Sequence, residues 1–79
     1  MITTLERLKD NMEAFVKQIH GGHSIRQRLG ALGVHPQDKL KVLRSGFLGG
    51  PVLIEIHGAQ VGIGHGMAAK IEVEVKAKS

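Results

Sequence analysis

Five histidines and no cysteine, spread through 79 residues, set what this sequence can offer to a metal or a proton. Two of them, His57 and His65, bracket a glycine-rich stretch, HGAQVGIGHG, with the composition of a phosphate cradle or a metal loop. A dinucleotide fingerprint needs G-x-G-x-x-G opening a long helix inside a βαβ unit. Here the third residue past Gly64 is Met67, and the pattern that follows is one helical turn and a strand. No G-x-x-x-x-G-K-[ST] occurs anywhere in the chain. The glycines fit a bending sheet wall or a close backbone approach instead.

Gly58-Ala59 has the spacing of a two-residue hairpin turn, type II′ with Gly at its first central position. That register pairs His57 with Gln60 and sets His65 opposite Val52, on the other face and roughly 16 Å along the ladder at about 3.3 Å per residue. The two rings then cannot share an ion. His20 and His23 bracket Gly21-Gly22 and stand close enough in sequence for a loop to bring both to one metal. A closed zinc site wants four ligands, and two more are not identifiable. His20 and His23 are therefore candidates for weak Fe(II) or Zn(II) contact only, and no cofactor is required.

Catalytic groups are equally sparse. Glu72 and Glu74 share a strand face with Lys76, the pattern of a solvated edge rather than an acid–base pair. Ser24 is explained by helix capping, and Ser45 lies in no nucleophile-elbow pattern. The expectation is a protein that is not an enzyme.

The elements that would position these residues are short. Thr3 and Glu6 have capping-box spacing ahead of Leu5 and Leu8, which predicts an N-terminal helical turn. Met12, Ala14 and Val16 alternate before the phase slips to Ile19, as in a strand with a bulge or bend. Ser24 and Gln27 form a second capping-box pattern. Ile25, Leu29 and Leu32 then recur at i, i+4 and i+7 before Gly33, which predicts a short α-helix at about residues 24–32. Lys39 to Val42 alternates, led in by the turn residues Pro36, Gln37 and Asp38. Val52, Ile54 and Ile56 mark the inward face of another strand, Val61 and Ile63 the next, and Ile71, Val73 and Val75 the last. The resulting order is β-α-β-β-β-β. With one helix and no long crossover, this predicts a small antiparallel barrel of five to six strands that removes its own edges.

Residues 1–79 form one domain, with a core at about 4–75 and a flexible tail at 76–79. Residues Met1 to Lys9 carry Glu6, Arg7 and Lys9 where a signal peptide needs an apolar run, so the reading is cytoplasmic. The net charge of +4 comes from eleven Lys and Arg scattered from Arg7 to Lys78. Without Trp or Tyr there is no stacking platform for bases, and no nucleic-acid partner is expected. Phe47 and Leu48 lie among the glycines of the Gly46 to Pro51 loop, where long apolar side chains either fold over the barrel end or meet a partner. Single exposed apolar residues are common and a barrel end needs a plug, which favours folding over.

Several segments carry a resemblance: TLERLK near the start, RQRLGALGVHP from Arg26 to Pro36, GFLGGPVLIEIHG from Gly46 to Gly58, and the closing Ile63, Ala68, Ile71 and Val73. In this order and spacing the chain resembles the bacterial ferrous iron transport protein A (FeoA) family from about Leu5 to Val75. The resemblance implies an SH3-like barrel and a non-enzymatic accessory role beside the membrane ferrous-iron transporter FeoB, whose cytoplasmic part carries a GTPase domain. Arg26, Arg28 and Leu29 of the helix, with Phe47 and Leu48 of the loop, are the candidate partner-binding residues. Two positions depart from the family: Gln37 follows Pro36 where Gly is usual, and His65 stands where Arg or Lys is common. A rival reading is a detached regulatory module related to the C-terminal SH3-like domain of DtxR-type metal-dependent repressors. Others are a weak transition-metal-binding module and direct nucleic-acid binding by the basic face.

Overall fold

The slip from Val16 to Ile19 is the mark of a strand that must bend, and the strand does bend there. The computed structural model describes residues 1–75, with Phe47 as main chain only; the tail expected at 76–79 lies outside the described residues. The elements are β1 (Ile2–Thr4), a 3-10 turn (Leu5–Arg7), β2 (Glu13–Ile19), α1 (His23–Ala31), β3 (Lys39–Arg44), a second 3-10 turn (Phe47–Gly49), β4 (Val52–Ile56), β5 (Ala59–Ile63), α2 (His65–Ala68) and β6 (Ile71–Val75). Against β6 the register passes from Val16↔Val73 to Gln18↔Glu72, so Lys17 is the extra residue of a bulge. A second bulge leaves Leu43 unpaired against β4. Each bulge sharpens the local twist and wraps the sheet around the core.

All pairings are antiparallel, in the order β1-β6-β2-β3-β4-β5. The expected barrel is not formed. β1 and β5 are the two edges, and among the described residues no ladder joins them. Side-chain packing replaces the missing ladder: the turn after β1, Leu5–Arg7, packs against α2, the helix after β5. Leu5, Leu8 and Ala68 are buried, and the His65 ring lies 3.2 Å from the Glu6 carboxylate. The apolar interior is thus covered without hydrogen-bonded closure, and the sheet stays open.

β1 is a strand that the sequence reading did not foresee. Thr3 pairs with Val73 and Thr4 with Glu72, so Thr3 does not cap the following turn. Thr4 occupies that position, without a side-chain cap bond. β-branched Ile2, Thr3 and Thr4 fit a half-buried pleated edge, and that preference prevailed over the capping pattern. The Ser24–Gln27 capping box is likewise not formed, because Gly22 is the N-cap and makes no side-chain bond.

At its other end α1 closes as the sequence predicts. Gly33 takes φ +86°, and the N–H groups of Gly33 and Val34 donate to the carbonyls of Gly30 and Leu29 at 3.0 and 2.9 Å. This is the paired-bond Schellman termination. Leu29 and Val34 are fully buried and Ile25 packs against the core, while Leu32, just past the last turn, is left exposed.

The β4–β5 hairpin turns one residue earlier than expected. Ile56 pairs with Ala59, so His57 and Gly58 form the two-residue loop. Both have positive φ, 52° and 75°, which makes the turn type I′ rather than II′. His is one of the few side-chain-bearing residues enriched in left-handed backbone. Ile63, not His65, lies opposite Val52, and His65 opens α2.

The turn after α1 is also left-handed at one position. Gln37 has φ 74°, the Asp38 N–H donates to the His35 carbonyl at 3.1 Å, and the Gln37 N–H donates to Val16 at 2.6 Å. With Pro36 at its second position this is a type II turn, whose third position favours glycine. A left-handed non-glycine residue costs about 1–2 kcal/mol, partly offset in a glycine variant by the entropy of ordering it. Gln37→Gly should therefore raise Tm by roughly 2–5 °C, read by thermal denaturation.

Candidate functional site

Two surface regions stand out: the turn between β3 and β4, and the groove beside α1. The turn is fixed by close backbone contact. A Cβ on Gly46 would sit 2.2 Å from the carbonyl oxygen of Gly50, so only glycine allows this approach. On the other side, the Ser45 main-chain N–H donates to Asp10 Oδ1 at 2.7 Å. Leu48 stands at the top with φ 54° and ψ 40°, 89% exposed. It does not fold over the end of the sheet as the sequence reading favoured. Phe47 lies in the same turn, and its side chain is outside the described residues.

Arg26 and Arg28 are exposed on α1, but they do not form one patch. Two residues apart on a helix, they diverge by roughly 200°, one on each flank of the buried stripe. Leu29 is fully buried, so it acts as core packing and not as a contact residue. Arg26 borders a groove of about 350 Å³ that also involves Lys17, His35 and Pro36, with buried Ile19 and Val34 among its lining.

The histidines divide among separate carboxylates. His20 Nε2 lies 2.9 Å from Glu72 Oε1, His57 Nε2 lies 3.1 Å from Asp38 Oδ1, and His65 Nε2 lies 3.2 Å from Glu6 Oε2. His35 Nδ1 is 3.6 Å from Asp38 Oδ2. His23 opens α1 and is exposed. Among the described residues no group of three or more His, Asp or Glu is arranged to hold a metal ion.

The sequence marks Asp38 only as a turn residue, yet its carboxylate ties that turn to the β4–β5 hairpin. Its carboxylate accepts the His35 main-chain N–H at 2.9 Å and meets the His57 ring of the hairpin. Burial opposes its ionisation, but the His35 N–H and the His57 ring outweigh that and hold its carboxyl below the ordinary value of 3.8. Asp10 is lowered too, first by the Ser45 N–H. A depressed carboxyl contributes stability that is complete above its unfolded pKa and is lost as pH falls through the folded value. Asp38→Asn should lower Tm by a few degrees above about pH 5, about 1 kcal/mol for a charge-assisted bond at a partly exposed site. The gap to wild type should close as pH falls below 3.8, which paired melts across the acid range would measure.

Comparisons with known proteins fit this architecture. A protein of Methanocaldococcus jannaschii named "Putative Fe(2+) transport protein A" is 42% identical over 66 residues, covering 84% of this chain and 78% of that protein. The crystal structure of an iron uptake regulatory protein, FeoA, superposes with a TM-score of 0.88 at 32% identity, covering 96% of this chain and 99% of that one. A manganese-dependent transcriptional repressor also superposes at 0.88, with 21% identity over 95% of this chain and 41% of the repressor. That last likeness is one of fold alone. The FeoA domain model matches residues 3–75, and the chain belongs to the FeoA family, whose members are non-catalytic accessory domains.

Proposed function

We propose that this chain is a non-enzymatic accessory module of ferrous-iron uptake that docks on the cytoplasmic part of the membrane transporter FeoB and modulates it. Family membership and the Fe(2+) transport name of its 42% identical relative support the iron assignment. The observation that carries the docking role is Leu48. A bulky residue at positive φ is a backbone outlier, and strain of this kind concentrates where a surface is held ready for a partner. Here the strained residue is also an almost fully exposed apolar side chain on a turn pinned by the Gly46–Gly50 approach and by Asp10.

In this reading Leu48, with its neighbour Phe47, is the small apolar anchor, and Arg26 and Arg28 on the two flanks of α1 steer the encounter. Iron is the transporter's cargo. For contact of the chain itself with Fe(II) or Zn(II) the weak candidates are His20 and His23, of which His20 already meets Glu72.

A strained anchor predicts two opposite effects in one variant. Leu48→Gly should raise Tm by a few degrees, because the left-handed penalty disappears. The same variant should weaken capture of the FeoB cytoplasmic part at least about tenfold, as loss of a central apolar anchor does. A pull-down paired with a thermal melt reads both. A variant that is stabilised and binds normally would remove Leu48 from the docking surface.

A further inference from the structure

The groove beside α1 contains a feature that the docking turn does not use. β2 pairs with β3 only from Glu13 to Phe15, and the flanking Val16–Asp38 and Gln37–Val16 bonds end that edge. Beyond them β2 runs on to Ile19 paired with β6 alone. Along Lys17–Ile19 the β3-side edge therefore has no strand beside it, and these same residues line the groove opposite Val34–Pro36.

The charge around the groove is of one sign. Lys17 and Arg26 line it beside the His35 ring, and among the described residues no carboxylate does. Lys17 is paired with Glu74 at 3.5 Å, and the His35 ring lies 3.6 Å from the Asp38 carboxylate. Arg26 has no ion-pair partner among the described residues, so it is the cation most open to an incoming anion.

We infer that this groove binds an extended peptide segment of a protein partner in which acidic residues adjoin an aliphatic side chain. Three features select that chemistry. A strand edge without a neighbour offers main-chain hydrogen bonds to an extended backbone. The cationic lining, with Arg26 foremost, selects carboxylates. Exposed Pro36, with the methylene stems of Lys17 and Arg26 over the buried floor of Ile19 and Val34, gives an aliphatic side chain a place to leave water. A compact inorganic anion would use only the second of these, and a nucleic acid would lack an aromatic platform in the groove. The assignment goes beyond the docking of the Leu48 turn and stands whichever protein supplies the segment.

The test is an NMR titration of the isotopically labelled full chain with three capped hexapeptides: glutamates flanked by leucines, glutamines flanked by leucines, and glutamates flanked by serines. Inorganic phosphate is titrated separately. The acidic, leucine-flanked peptide should give saturable shifts at Lys17–Ile19, Arg26 and Val34–Pro36. Binding should weaken at least about tenfold for the glutamine peptide and for Arg26→Gln, and about threefold or more for the serine peptide. Arg26 is exposed, so Arg26→Gln should remain folded, which its own spectrum would verify. The proposal is overturned by no saturable shift up to a few millimolar peptide, by equal affinity for the acidic and glutamine peptides, or by unchanged affinity in Arg26→Gln. Phosphate reproducing the same shifts at the same concentration would show a general anion site and would equally overturn it. None of these results depends on FeoB, so failure here and failure of the docking turn are separable.

Discussion

Leu29→Ala should lower stability by about 3 kcal/mol, within the range for truncating a buried leucine, and lower Tm by roughly 12–24 °C for a chain of this size. Leu29 is fully buried beneath α1 among the side chains of the core. Its loss leaves a cavity under the domain's one long helix, whose termination depends on the next buried residue, Val34, reaching back to the Leu29 carbonyl. A thermal melt separates the two roles that the sequence allowed this residue. A contact residue would lose partner binding with little change in Tm, whereas a core residue loses Tm first. The structure predicts the second outcome.

Gly46→Ala is the second large effect, and it acts through backbone rather than core. The added Cβ would meet the Gly50 carbonyl oxygen at 2.2 Å, far inside contact distance, and neither group is the end of a flexible side chain. The turn must open or shift, at a cost of at least about 2 kcal/mol by analogy with overpacked sites, or roughly 10 °C in Tm. Because Leu48 stands on that turn, the same substitution should also weaken FeoB capture. An unchanged melting temperature would mean that the turn is free to relax and does not hold Leu48 in place.

The hairpin shows where sequence reasoning succeeds and where it stops. Alternation in Val52, Ile54 and Ile56 identifies the inward face of β4, and these residues are buried. The expected register and the observed one differ by two residues, however, and a slip of two keeps every side chain on its own face. Periodicity cannot distinguish them. The choice falls to turn chemistry, where a histidine accepting left-handed backbone and contacting Asp38 gives a type I′ turn at His57-Gly58.

The bulge in β2 was legible because a single extra residue changes the phase of burial. The fate of the sheet edges was not, because closure depends on whether residues far apart in sequence form a ladder or pack through side chains. Here Leu5, from the turn after β1, and Ala68, from the helix after β5, are both buried, and their segments pack together. A sequence pattern carries no sign of that. Leu48 was legible as a candidate from its glycine neighbours, but its exposure and left-handed backbone emerge only from the close approach of Gly46 to Gly50. The groove was missed altogether, since Lys17, Arg26 and His35 come from a bulge, a helix and a turn in succession, and no periodicity within any one of them records that they converge.

The docking claim meets its most direct test in amide hydrogen exchange of the full chain with and without the cytoplasmic part of FeoB. The account predicts slowed exchange concentrated at the turn of residues 46–50 when the partner is added. Protection confined to other surfaces, or no change at this turn under saturating partner, would contradict it.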